Sequence, residues 1–358
     1  MSGIELKSIN KNFGDKTVLK DISLNIKEKS FTVLLGPSGC GKSTLLRIIS
    51  GLEHQDSGSV FINGKCVDNA KPGKRKIAMV FQNYALYPTM SVRENIEFGL
   101  KNKKIPKEKR NTLIEEIMTT VGLQEHQHKK PQYLSGGERQ RVALARAMVK
   151  EPDVFLMDEP LSNLDAKLRN QMRRELIELH KKTKATFIYV THDQLEAMSM
   201  GTDVALLNAG TVQQFDTPLN IYQDPANIFT AKFLGNPSMN IFKVADNFPL
   251  KELIQEGEFI GFRPEKVKII EIEKSEKEKS LYLNGEIIIR EMLGSESIYD
   301  IETEMGIIRV KLQEENIFKD KVKLKIKYKN IVVFDKEKNH INTLDAYINS
   351  EGKNHEKN

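Results

Sequence analysis

Residues 36–44, Gly36-Pro37-Ser38-Gly39-Cys40-Gly41-Lys42-Ser43-Thr44, limit this chain to a narrow set of folds. An apolar run, Phe31-Thr32-Val33-Leu34-Leu35, precedes them, and Leu45-Leu46-Arg47-Ile48-Ile49 follows with the texture of a helix. Strand, glycine loop and helix with Lys-Ser at the junction is the GxxxxGK[ST] pattern of a phosphate-binding loop. Glycines let the loop curl so that successive N–H groups point inward as a nest for anionic oxygens. The helix N-terminus adds unpaired donors and partial positive charge. Lys42 can reach the outer phosphates of a nucleotide, and the Ser43 hydroxyl can ligate magnesium.

Two further apolar runs end in polar groups. Val154-Phe155-Leu156-Met157 leads into Asp158-Glu159-Pro160, and Thr186-Phe187-Ile188-Tyr189-Val190 leads into Thr191-His192-Asp193. Uninterrupted apolar runs of this length read as parallel strands buried on both faces. In an open parallel sheet, ligands bind beyond the carboxyl ends of the strands. Gly36, Asp158 with Glu159, and His192 are therefore expected in one crevice. Neighbouring strand side chains point to opposite faces, so the two carboxylates are expected to do different jobs.

A second glycine-led helix start lies at Leu134-Ser135-Gly136-Gly137-Glu138-Arg139-Gln140. Ser135 is a good N-cap, and the glycines leave first-turn amides open to an anion. Between these motifs, residues 91–130 read as mostly helical, with Ser91 and Glu94 at capping-box spacing. Gln82 ends the strand Ile77-Ala78-Met79-Val80-Phe81, ahead of an irregular segment with two tyrosines, Asn83 to Pro88. Phe13 falls in a turn upstream of the P-loop. There it can stack on a base, although position alone favours a ring in the core.

At 358 residues the chain is expected to form two domains, and the texture changes beyond Pro237. Short β-branched runs recur there, among them Phe259 to Phe262, Ile287 to Ile289 and Ile331 to Phe334. Lys321 to Lys329 alternates lysine with apolar residues, which predicts a half-buried strand whose lysine face guards a sheet edge. Residues 349–358 are polar and are expected to lack fixed structure.

With no stretch near the ~18 apolar residues of a membrane span and no signal-peptide pattern at the start, the chain is expected in the cytoplasm. A net charge of +6 is mild and dispersed, and a solvated surface explains it as well as a nucleic-acid footprint does. Two cysteines, Cys40 and Cys66, build neither a disulfide framework nor a metal site. Cys40 sits where a helix N-terminus can lower a thiol pKa, though packing is its expected role.

The P-loop, Leu134 to Gln140, Leu156 to Asp165 and Tyr189 to Asp193, in this order, resemble the ATP-binding subunit of an ABC transporter. The likeness covers residues 1 to about 235. The whole chain is similar to importer ATPases of the maltose and glycerol-phosphate type. Gly261-Phe262-Arg263-Pro264-Glu265 resembles the opening of that family's OB-like regulatory domain, and Gly235 to Asn240 resembles the sugar or glycerol-phosphate branch. The fold implied is an α/β P-loop NTPase cassette (1–235) with a helical subdomain at about 88–150. A β-rich, OB-like C-terminal domain (236–348) follows.

The resemblance also implies roles. The loop from Gly36 through Pro37, Ser38, Gly39, Cys40 and Gly41 to Thr44, with Lys42, holds the phosphates of ATP. Ser43, Gln82 and Asp158 serve Mg2+; Gln82 relays the state of the metal toward the membrane subunits. Glu159 polarises the attacking water, His192 contacts the γ-phosphate, and Asp165 sits in the loop coupling two sites. Phe13 stands where relatives usually carry tyrosine, and keeps the stacking face for adenine without the hydroxyl. Ser135, Gly136, Gly137 and Gln140 contact ATP held by a second subunit. The partners implied are a second ATP-binding subunit in a homodimer, two transmembrane permease subunits and, indirectly, an extracytoplasmic substrate-binding protein. The location implied is the cytoplasmic face of the cell membrane. The alternatives are a soluble ABC ATPase acting on nucleic acid or ribosomes, which usually carries two cassettes or coiled-coil insertions, and a nucleotide-binding regulator without turnover, which conflicts with Glu159. Importers of polyamine, iron, sulfate or phosphonate stay open as substrate classes.

Overall fold

The computed structural model describes residues 2–245, 248–255, 258–270, 279–313 and 318–355. It contains two compact units, Met1–Leu219 and Asn220–Asn358.

The first unit is built on a six-stranded sheet. Its order is Thr211–Asp216, Asp203–Asn208, Phe31–Leu35, Thr186–Thr191, Val154–Asp158 and Ile77–Val80. The strands pair in parallel except Thr211–Asp216, which returns antiparallel through the Ala209-Gly210 turn. Every residue of Phe31–Leu35 and of Thr186–Thr191 is buried, which explains why these strands read as continuous apolar runs. Because they are parallel and in register, with Leu35 opposite Thr191 and Asp158 opposite Val190, their carboxyl ends open on one edge.

A second, antiparallel sheet carries Lys16–Lys27, Ser2–Phe13, Ser57–Ile62 and Lys65–Cys66. Its first two strands are longer than their alternation suggests. Ser8 and Asp21 adopt positive φ (48° and 49°), and the pairing slips at several points, so the period of two is broken in the sequence. Three helices, Val92–Asn102, Lys107–Val121 and Gly136–Met148, enclose a separate core of Val92, Ile96, Leu100, Ile114, Met118, Val142 and Ala145. The capping box at Ser91 and Glu94 is present as the spacing predicts.

The second unit is β-rich and OB-like. A four-stranded sheet orders Asn240–Lys243, Phe259–Phe262, Val332–Phe334 and His340–Thr343. A five-stranded sheet orders Lys268–Ile270, Lys321–Lys327, Ser280–Met292, Ser297–Thr303 and Gly306–Leu312. The lysine strand is therefore not an edge. It pairs on both sides, Lys325 is buried, and the ammonium groups of Lys323 and Lys325 lie 5.3 and 5.8 Å from the centre of the Tyr282 ring. A lysine stem covers apolar surface while its head finds an aromatic face or water, so alternation alone does not place a strand at an edge.

The helices Pro218–Gln223 and Ile228–Phe233 were expected with the first domain, yet from Asn220 onward they belong to the second unit. Arg263 explains this. Its buried guanidinium donates to the carbonyls of Ala231, Leu234 and Tyr222 and stacks 4.0 Å over the Tyr222 ring. Tyr222 donates in turn to Glu265 Oε1 at 2.9 Å; burial first, then the Glu265 charge, push its phenol up to about 12. The last helix runs Leu344–His355, so residues expected to lack structure from 349 are helical as far as described; 356–358 lie outside the described residues.

Candidate functional site

The P-loop leaves the Phe31–Leu35 strand at Gly36, whose φ of 153° and surroundings exclude a side chain: a Cβ there would lie 2.2 Å from the Leu207 carbonyl oxygen. Gly41 is equally constrained, at φ 106° with a virtual Cβ 2.8 Å from the Val18 carbonyl oxygen. Gly41 caps the helix Lys42–Ser50 without any side-chain bond, so the first-turn amides face outward unclaimed by a cap. Lys42 is buried, and its ammonium donates to the carbonyls of Gly36 and Pro37, both at 2.8 Å. The cation is stored on the rim of its own loop. Cys40 is also buried, and burial pushes its thiol up in spite of Lys42, so it packs under the loop rather than acting as a reactive thiolate. At the far end of the helix, the buried Arg75 donates to the carbonyls of Ile48 and Ile49 at 2.8 and 2.9 Å and closes the C-terminus.

The strand ends meet as their order requires. Ser43 Oγ donates to Asp158 Oδ1 at 2.7 Å, and His192 Nδ1 lies 3.2 Å from Glu159 Oε1. Glu159 adopts φ 44°, a left-handed conformation that a non-glycine residue takes at a cost of roughly 1–3 kcal/mol. Its amide donates to the Val190 carbonyl at 3.1 Å, and Ser162 Oγ donates to its carbonyl at 2.9 Å, which hold the turn in place. The bend places Glu159 beside His192 while Asp158 stays with the P-loop helix. The two carboxylates thus serve different partners.

The oxygens of Ser43 and Asp158 suit magnesium, a hard cation that uses few protein oxygens and completes its shell with phosphates and water. Among the described residues no group of three or more His, Cys, Asp or Glu could hold a metal ion. Gln82 is turned elsewhere. Its side-chain Nε2 donates to Ser162 Oγ at 3.2 Å, and its main-chain carbonyl accepts from Asn163 Nδ2 at 3.1 Å. Arg146 steadies the following segment by donating to the carbonyls of Tyr84 and Ala85, two consecutive residues at positive φ (62° and 45°). Neither Asn163 nor Arg146 was legible in the sequence: one looks like a loop residue, the other like the exposed position of a helix.

Phe13 ends the Ser2–Phe13 strand and is 49% exposed, so it is not a core ring. Lys11, whose ammonium reaches Glu53 at 2.9 Å and Asp56 at 3.3 Å, stands 5.0 Å from the ring centre. Its hydrogen bond to Glu53 is the main cause holding that ammonium above the usual lysine range.

The second helix start is built differently. Ser135 Oγ accepts from the Glu138 amide at 3.3 Å while the Glu138 carboxylate accepts from the Ser135 amide at 2.6 Å. That amide bond holds the Glu138 carboxyl below the usual range, and His126 Nε2 lies 3.0 Å from its other oxygen. Gly136 and Gly137 back onto Leu164 and Leu168, where a Cβ would come within 2.8 and 2.9 Å of leucine methyls. Among the described residues no hydrogen bond joins this helix start to the P-loop. Two more of these residues have surroundings of their own in the single chain. Gln140 is fully buried, and neither amide atom finds a partner, so it presents nothing to a nucleotide on the surface. Asp165 spends a carboxylate oxygen as N-cap of the helix Ala166–Thr183, accepting from Leu168 at 2.9 Å.

A parallel sheet, a P-loop at one strand end and a carboxylate–histidine pair at the next two define a nucleoside-triphosphatase of the P-loop class. Residues 19–162 match the ABC transporter family. The chain is 49% identical over 277 residues to the sn-glycerol-3-phosphate import ATP-binding protein UgpC of Brucella abortus, covering 76% of this chain and 79% of that protein. It is 45% identical over 317 residues to the oligosaccharides import ATP-binding protein MsmX of Bacillus subtilis, covering 83% and 87%. A solved dimeric ATP-binding cassette with ADP and phosphate bound superposes with a TM-score of 0.54 at 33% identity, over 60% of this chain and 98% of that one. This chain belongs to the ATP-binding subunits of the ABC transporter family. It binds ATP, and its ATPase activity is coupled to transport. Among the described residues no helix is long and apolar enough to cross a membrane.

Proposed function

We propose that this chain energises import of sugars or glycerol phosphates, as a homodimer at the cytoplasmic face of the membrane beneath two permease subunits. An extracytoplasmic binding protein would supply the substrate from the other side, and nucleic acid plays no part. The names of the two relatives support the substrate class. Within the cassette, Phe13 offers its exposed face to adenine. The open amides of the P-loop take the phosphates, and Lys42 leaves the Gly36 and Pro37 carbonyls for the outer phosphate oxygens. Ser43 and Asp158, with Gln82 swinging from Ser162, would hold Mg2+, which neutralises charge shared by the β- and γ-phosphates. Glu159 orients and polarises the attacking water. His192, with Nδ1 on Glu159, keeps its other ring nitrogen for a γ-phosphate oxygen. Ser135, Gly136 and Gly137 complete the site of the second subunit. Because the Ser135 hydroxyl accepts from Glu138, its proton stays available for a phosphate oxygen. Phosphoryl transfer depends mostly on positioning and charge stabilisation, so a site completed on closure ties hydrolysis to motion. We also propose residues 1–235, with an arm at about 88–150, as the catalytic part and 236–348 as the regulatory part, the stretch 220–235 linking the two in sequence while packing with the second unit.

The observation that carries this reading is the Glu159–His192 pair set one residue beyond the Asp158 that holds Ser43. Glu159→Gln keeps shape and loses the base. Its steady-state hydrolysis is expected to fall about 10²–10⁴-fold, the range for a general base, with ATP affinity in equilibrium binding unchanged. Hydrolysis at the parental rate would remove Glu159 from the mechanism. Co-purification from membranes should recover permease chains, and consistent recovery of RNA in their place would overturn the transport reading.

A further inference from the structure

His192 is more than half exposed at a strand end, and among the described residues its ring is held by Glu159. Its backbone, however, sits inside a closed ring of bonds. Thr191 Oγ1 donates to Glu196 Oε2 at 2.6 Å, and the same oxygen accepts from the Tyr189 hydroxyl at 2.9 Å. Thr191 Oγ1 also accepts from the Asp193 amide at 3.0 Å. Asp193 caps the helix Gln194–Met200, accepting from the amides of Leu195 at 2.7 Å and Glu196 at 3.3 Å. From Glu196 the ring runs through Thr191, across His192 to Asp193, and back to Glu196. Tyr189 and Thr191 face Glu196, and strand alternation turns Val190 and His192 the other way, toward Glu159.

We propose that Glu196 is the positioning residue for His192, and that its carboxylate is what sets the strand end from which the imidazole reaches Glu159 and the phosphate. A carboxylate is acceptor-only, so both hydroxyls must donate to it. The Thr191 hydroxyl then has only lone pairs left for the Asp193 amide, and the ring has one possible direction. Glu196 is 3% exposed, and its carboxyl is pushed up chiefly by burial; a buried carboxylate costs stability unless it is hydrogen-bonded, and here the Tyr189 and Thr191 hydroxyls supply those bonds. Arg169 lies 3.7 Å from the Asp193 carboxylate, and its charge also favours the ionised form of Glu196.

This inference rests on the catalytic reading of His192, and the test separates the two. In the full-length chain, Glu196→Ala is expected to lower the turnover number about tenfold while KM and equilibrium ATP binding change less than about twofold. Glu196→Gln, which still offers one oxygen to both hydroxyls, is expected to recover most of that loss. In a His192→Ala background the same Glu196→Ala change should cost nothing further, because both act through one group. A His192→Ala chain with undiminished turnover would contradict the catalytic reading alone. The positioning claim has its own readout, the NMR signals of the His192 ring, assigned by their disappearance in His192→Ala. Their chemical shifts should move in Glu196→Ala and return in Glu196→Gln. Unmoved shifts, or an equal loss of turnover in the His192→Ala background, would overturn the proposal.

Discussion

The cassette contains two glycine-led helix N-termini, and they differ in almost every respect that bears on anion binding. The P-loop helix begins at a left-handed glycine with no side-chain cap, so its amides stay open, with a lysine stored alongside. The helix Gly136–Met148, whose start at Ser135 to Gln140 is the signature run, begins at a serine closed into a reciprocal capping box, with a carboxylate already on the Ser135 amide. In the proposed function the first holds the phosphates of its own chain's nucleotide. The second, which offers a hydroxyl proton and glycine amides with a negative charge beside them, adds to the site of a partner chain, so the P-loop alone is half a site. Sequence resemblance treats both motifs as nucleotide contacts; the geometry ranks them.

Gly41→Ala tests the ranking most severely. The added methyl would meet the Val18 carbonyl at 2.8 Å in a backbone unsuited to it, and ATP binding by the single chain should fall at least about 10²-fold. Gly136→Ala meets only the end of Leu164, 2.8 Å away, which can move. It should leave single-chain binding intact while turnover of the pair drops. Equal losses of single-chain binding would erase the distinction. Isothermal calorimetry alongside a hydrolysis assay distinguishes these outcomes.

A smaller effect concerns the carboxylate at the second helix. Glu138→Gln keeps a capping box and removes the charge that faces an incoming phosphate. The KM for ATP should fall about two- to fivefold, as expected for a charge of this kind at a helix end. Glu138 also contributes to stability in one direction of pH. Its folded pKa is lowered, chiefly by the Ser135 amide, so its contribution is present above the ordinary carboxylate range and is lost as pH falls through the folded value. Thermal melts of the parent should therefore lose more stability than Glu138→Gln on acidification below pH about 4.5, the ordinary glutamate range.

Much of this was legible in the chain because buried parallel strands announce themselves. Three apolar runs ending in Gly36, Asp158-Glu159 and His192 could only converge on one sheet edge, and they do. What stayed hidden were groups whose partners are distant in sequence. Arg263 binding helices 30–40 residues upstream gives no periodic signal, nor does Arg146 gripping the Gln82 segment. Position alone favours a core ring for Phe13, and its exposure was hidden because bulges near Ser8 and Asp21 conceal how far its strand extends. Gln140 reads as part of a binding run from its place in the sequence, yet its side chain is wholly buried in the helix Gly136–Met148, and burial by packing partners distant in sequence leaves no local signal.

The claim that the P-loop is half a site can be put to a mixing experiment. Both test chains carry Glu159→Gln to arrest hydrolysis, and one adds Lys42→Ala while the other adds Ser135→Arg. Each alone should retain no ATP through rapid gel filtration, whereas Glu159→Gln by itself retains it. Mixed, the intact signature of one chain meets the intact P-loop of the other, and retention should return. If mixing restores nothing, or if Ser135→Arg alone retains ATP as well as its parent, the two helix ends do not share a nucleotide.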